Sequence, residues 1–143
     1  MAVSCLLTYR LALNSGPGKL ASKTAAAAPW VPDRRDIIWI NFNPQVGKEM
    51  RDVHPMVVLT PRAYNERTGL VIGLPMSTAA FNATNPFAVD NSSKGDASYI
   101  ICNQPKSMDW RLRGARSHAW GKVREAIFKQ ACGELNDLVL LVA

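Results

Sequence analysis

Three short segments gather the side chains able to move a proton or grip a phosphate. The first, NPQVGKEMRDVHP at 43–55, places Glu49, Arg51, Asp52 and His54 within six positions. Histidine is the side chain whose charge changes between about pH 5 and 8, which makes His54 a candidate for proton transfer. Pro55 biases His54 toward the extended backbone expected at the start of a strand, where an ordinary surface histidine also fits. In the second segment, Ser77 and Thr78 follow Pro75 and Met76 at the end of an apolar run. Hydroxyls leaving the core there can donate to a phosphate or satisfy a turn. The third, CNQPKSMDWRLRGARS at 102–117, interleaves Lys106, Arg111 and Arg113 with Trp110. Guanidinium forks match phosphate oxygens and an indole offers a face on which a base stacks, a composition suited to single-stranded nucleic acid. Trp110 fits equally well as a plug at one end of a barrel.

Other chemistries lack their residues. Ser77, His54 and Asp52 make a triad on paper, but no GxSxG turn accompanies the serine. No GxxxxGK phosphate loop exists, and Gly69, Gly73 and Gly95 stand alone. Cys5, Cys102 and Cys132 are far apart and odd in number, without a CxxC pair, and only His54 and His118 are available to complete a metal site. Neither a metal nor a cofactor is expected, and the cysteines need no structural task.

Positioning these groups falls to short elements. IIWINF at 37–42, MVVLT at 56–60, LVIGLPM at 70–76, PFAV at 86–89 and YIIC at 99–102 read as strands between turn residues, with a further one at 121–123. PRAYNERTG at 61–69 reads as a short helix or turn closed by Gly69. Phe128, Ala131, Leu135, Leu138 and Val142 are spaced three, four, three and four apart, which places them on one helical face. Gly133 weakens that helix by about 1 kcal/mol relative to alanine. The expected fold is mainly β, a small antiparallel barrel crossed by a C-terminal helix.

The chain has 143 residues, 48% hydrophobic and 20% charged, the profile of one domain able to bury its own core. No apolar run approaches the ~20 residues of a membrane-spanning helix, so a cytoplasmic protein is expected. Residues 1–28 carry Arg10, Lys19 and Lys23, no acid and a Gly-Pro-Gly break, and read as an extension ahead of a domain at 29–143. Net charge is +6, and six cations between 106 and 124 face Asp109 alone. That balance favours a polyanionic partner and is also met on solvated basic faces.

Taken together, WVPDRRDIIWINFNP at 30–44, GKEMRDVHPMVVLTPRAYNERTGL at 47–70, LPMST at 74–78 and QPKSMDWRLRGAR at 104–116 resemble the MazF/PemK/Kid family of toxin endoribonucleases. The resemblance covers roughly residues 30–143. It implies an SH3-like, CcdB-like barrel acting as a homodimer, metal-independent cleavage of single-stranded RNA, and inhibition by a cognate antitoxin of the MazE/PemI type.

The resemblance transfers its site unevenly. In MazF-type members an acidic residue, a Gln and later an Arg before the Pro occupy the loop; here Glu49, Met50 and His54 stand at those positions, and Ser77 matches the catalytic hydroxyl. In Kid-type members the catalytic Arg and Asp flank a CDQP segment, where this chain has Ile101 and Asn103. The implied catalytic set is therefore His54, Ser77, Glu49 and Arg51. Thr78, Asn103, Gln104, Lys106, Trp110, Arg111 and Arg113 form the implied RNA-binding set. Cleavage without a metal needs a base for the 2′-hydroxyl proton, donors to the phosphate oxygens and an acid for the leaving oxygen. Imidazole shuttles protons better than guanidinium, so the His54 replacement is compatible with activity. Two alternatives stay open: a degenerate barrel that binds RNA or protein without cutting, and a gyrase poison of the CcdB kind.

Overall fold

The computed structural model describes residues 28–93 and 95–141. The expectations for residues 1–27 and for Val142 lie outside these. The elements are β1 Asp36–Asn41, β2 Val53–Val58, α1 Arg62–Thr68, β3 Leu70–Ser77, a 3-10 turn Ala80–Thr84, β4 Ala88–Asp90, β5 Tyr99–Ile101, β6 Lys106–Asp109, β7 Arg116–Lys122 and α2 Glu125–Val139. All pairings are antiparallel, in the order β4-β5-β3-β2-β1-β7, with β6 also on β3. The expected strand-rich fold with a C-terminal helix is present. Its sheet is open, because β4 and β7 end the path without pairing to each other.

The central strands read as apolar runs because both of their faces are covered. On one side Ile37, Val57, Leu74, Met76 and Ile100 pack with Phe128 and Ala131 of α2. Ile38, Ile40, Phe42, Met56, Val58 and Val71 pack on the other side with Met108, Trp110 and Val31. The periodic face of α2 fades toward its end: Phe128 and Ala131 are buried, Leu135 is half-buried, and Leu138 is exposed. β2 and β3 approach so closely at Gly73 that a side-chain carbon there would collide with the Met56 side chain and the Val57 carbonyl. Gly69 closes α1 in the left-handed conformation at φ 73°, donating its N–H to Asn65 O, as its sequence position suggests.

β3 organises the site because its partners change along its length. Leu70–Gly73 pair with β6, Gly73–Pro75 with β2, and Met76–Ser77 with β5. Since Gly73 pairs with β2 and β6 at once, these lie on opposite edges. The edge away from β2 passes from β6 to β5, and the connection between those two strands carries Asn103 and Gln104.

Candidate active site

The loop between β1 and β2 is fastened at both ends. Asn43 Nδ2 donates to Asp52 Oδ1, and Asp52 N donates back to Asn43 Oδ1, each at 3.0 Å. Phe42 N donates to Asp52 O at 2.9 Å. This clamp requires φ 62° at Asp52, a left-handed conformation that Asp and Asn tolerate through local side-chain bonds and alanine does not. Asp52→Ala should therefore lower stability by about 1–2 kcal/mol, while Asp52→Asn should stay within about 0.5 kcal/mol of the parent. Urea unfolding of the three proteins checks this, and an alanine variant as stable as the parent would show that the clamp contributes nothing.

Two further bonds lay the middle of the loop against the β5–β6 connection. Met50 N donates to Gln104 Oε1 at 2.9 Å, and Lys106 Nζ donates to Glu49 Oε2 at 2.6 Å. The Lys106 hydrogen bond, and then its charge, hold the Glu49 carboxyl below the usual carboxylate range. Glu49 is therefore an anion near neutrality and positions the loop; a general acid needs a proton it does not hold.

His54 follows the clamp by two residues, half-buried and facing Ile40 of β1. The β2–β3 ladder pairs Met56 with Pro75. That is its last pair: His54 and Ser77 each lie two residues beyond it, on the side of their strands that Met56 and Pro75 occupy, and Ser77 pairs with Tyr99 of β5. Ser77 Oγ accepts the Ala79 N–H at 3.2 Å, which leaves its O–H free to donate. Beside it lies a cavity of about 130 Å³ lined by Met50, Ser77, Phe81, Asn82, Asn85, Ile101, Asn103 and Gln104. Thr78, Asn103 and Arg51 are exposed. Phe81, Asn82 and Asn85 are lining residues that sequence reasoning missed; the one signal available was a phenylalanine inside the polar run AAFNATNP.

The basic segment is placed differently from the expectation of a phosphate-gripping, base-stacking surface. Trp110 is only 7% exposed, packs in the core and donates its indole N–H to Asn65 O at 2.9 Å, so it is an anchor and not a stacking platform. Arg111 donates to Glu66 O at 3.0 Å and covers the Trp110 ring at 4.6 Å. It sits against Gly69, before the end of β3 opposite Ser77, eight residues or roughly 25 Å along the strand at about 3.3 Å per residue. Arg113 Nη1 donates to Asn41 O at 2.9 Å and Asn43 O at 2.6 Å, bracing the start of the loop.

A larger cavity of about 330 Å³ opens among Ile37, Asn91, Ser98, Trp120, Lys122 and Arg124. It holds none of the candidate catalytic groups, and Lys122 there is ion-paired with Asp36 at 2.9 Å and Asp33 at 3.4 Å. Burial, with smaller contributions from Glu134 and Cys132, pushes the Cys102 thiol up to about 11, and burial raises Cys132 as well. Both are protonated core thiols, unsuited to nucleophilic attack. Among the described residues no His, Cys, Asp and Glu cluster suits a metal ion, and no helix is long and apolar enough to cross a membrane.

Residues 33–139 match the family of PemK-like, MazF-like toxins of type II toxin-antitoxin systems. The chain is 38% identical over 86 residues to the endoribonuclease toxin MazF of Escherichia coli K12, covering 60% of this chain and 76% of that protein. Its fold is similar to that of MazF from Deinococcus radiodurans, with a TM-score of 0.72 and 31% identity over 79% of this chain and all of the other. A MazE–MazF complex from the same organism gives 0.66 and 30%, with the same coverage of both chains.

Proposed function

Because the chain belongs to the PemK-like, MazF-like toxin family, we propose that it is an endoribonuclease toxin that cuts single-stranded RNA with its own side chains and thereby arrests translation and growth. The observation that carries this reading is the loop locked by Asp52, Gln104 and Lys106, which leads into His54 at the start of β2 and lays Met50 beside Ser77 in one small cavity. His54 takes the proton of the 2′-hydroxyl, whose oxygen attacks phosphorus. The Ser77 hydroxyl and the exposed Arg51 donate to the phosphate oxygens as charge builds. The bond from phosphorus to the 5′-oxygen breaks, that oxygen takes up a proton, and a 2′,3′-cyclic phosphate remains. Glu49 and Lys106 hold the loop, and Arg113 braces its start.

Purified protein incubated with a labelled single-stranded RNA in EDTA should give fragments ending in cyclic phosphate. Intact RNA that is nonetheless bound would favour a non-catalytic RNA-binding role for the same site.

The relatives solved as MazE–MazF complexes support a cognate antitoxin as the natural partner, and an RNA substrate is consistent with action in the cytoplasm. A homodimer is supported by the open sheet edge at β7 and by the exposed Leu138, Val139 and Leu140 at the end of α2. Residues 1–28 are proposed to be dispensable, since the family match begins at residue 33 and the packed core at Val31. Light scattering should give a dimer mass for the full chain and for a chain beginning at Pro29, which retains Trp30 against Trp110. The two should also share melting temperature and cleavage rate. A monomer at micromolar concentration would reject the dimer, and a large loss on truncation would give the extension a role.

A further inference from the structure

The small cavity beside Ser77 has a polarity set by lone pairs already in use. Asn82 donates to Ala79 O and accepts from Asn85 Nδ2, and Asn85 Oδ1 accepts the Phe87 N–H. Each of these two carboxamides has its oxygen and one of its two N–H donors engaged in building the wall. Gln104 differs, because its Oε1 is held by Met50 N at 2.9 Å. That bond fixes which end of the amide faces the loop, and it leaves the Nε2 group as a donor with no partner among the described residues. Asn103 beside it is exposed and has no hydrogen-bond partner among the described residues. At the rim, Phe81 is 73% exposed while the Asn82 that follows it is buried, so an aromatic face is held out on a fixed turn. The cavity, about 130 Å³, has the volume of roughly four waters at ~30 Å³ each, enough for one six-membered ring.

We propose that this cavity reads one base of the RNA next to the cut: a pyrimidine that stacks on Phe81 and offers a carbonyl oxygen to Gln104 Nε2. This rests on the reading of Ser77 as a phosphate contact, which places the cavity beside the scissile step. An oriented donor demands an acceptor. Uracil and cytosine carry a carbonyl acceptor on a single ring, whereas adenine accepts only through ring nitrogens and adds a second ring to a cavity sized for one. Guanine has a carbonyl but adds a second ring. Asn103, free at both ends of its amide, pairs with what remains of the edge and tolerates either pyrimidine.

Gln104→Glu isolates the effect, because a carboxylate oxygen still accepts from Met50 N while the group facing the cavity changes from donor to acceptor. Full-length parent, Gln104→Glu and Phe81→Ala are compared on RNAs carrying each of the four bases at each position flanking the cut. The same sequences with a 2′-deoxy nucleotide at the scissile step serve for binding. The parent should prefer pyrimidine over adenine about tenfold or more at one flanking position, in cleavage and in binding. Gln104→Glu should level or invert that preference at that position alone. Phe81→Ala should weaken the preferred substrate by about tenfold, within the range of one lost base stack, and keep the order of bases.

A parent indifferent to the base at every flanking position, or a Gln104→Glu protein with the parent's preference, would overturn the proposal. Cleavage without base preference leaves the endoribonuclease reading standing. Pyrimidine-selective binding without cleavage removes that reading and keeps the base site.

Discussion

Replacing His54 with alanine should lower RNA cleavage by about a hundredfold or more while weakening RNA binding far less, the pattern of a lost proton transfer. His54→Arg supplies a fixed cation that can stabilise the phosphate but is a poor proton acceptor, so it should recover only part of the rate. Single-turnover cleavage of one labelled RNA by the three proteins, with EDTA present, separates the outcomes. Parent-like rates in the alanine variant would take His54 out of the mechanism and leave Ser77 and Arg51 as its centre.

The second large effect concerns folding. Trp110→Ala should cost about 3–5 kcal/mol, as truncation of a buried aromatic usually does, against the 5–15 kcal/mol that typically stabilises a domain. The ring fills the cluster around Met108, Val71 and Ile38, and its N–H satisfies the carbonyl of Asn65. Asn65 in turn donates to Pro32 O and Thr60 O, so the same corner ties α1 to the segment entering β1. Trp110→Phe keeps most of the packing and should cost about 1–2 kcal/mol for the orphaned carbonyl. Denaturant titration measures both. An alanine variant that stays fully stable but binds RNA weakly would restore the stacking role that the composition of this segment suggests.

Much of the scaffold was legible because its signals are local. IIWINF, MVVLT and LVIGLPM carry enough apolar residues to declare strands, and PRAYNERTG ends on the glycine that its helix requires. β6 was not legible: KSMD buries Met108 alone, so no alternation marks it, and its identity as a strand comes from pairing with Leu70–Gly73. β7 was seen only at its end, because RSHAWGK buries His118 alone and pairs on one side only. At the site, His54 and Ser77 stood out by residue type. The tasks of Arg111, Arg113 and Trp110 did not, since a guanidinium bound to a carbonyl 45 or 72 positions away leaves no mark on the local pattern. A basic, aromatic segment looks the same whether it grips RNA or braces a loop.

That bracing bears on the ionic atmosphere of the complex. Binding to single-stranded RNA releases condensed counterions, and log affinity falls with log salt at a slope of about −0.7 per neutralised phosphate. Six cations between 106 and 124 would suggest a slope near −4 for each chain. Lys106 and Lys122 are already neutralised by carboxylates, and the guanidinium groups of Arg111 and Arg113 are turned to backbone oxygens. Arg116, which lies over the Trp39 ring, and Arg124 remain from that run; with Arg51 they bring the slope to about −2. RNA held this way stays associated as ionic strength rises, and its affinity draws more on base contacts than on the chain's net charge.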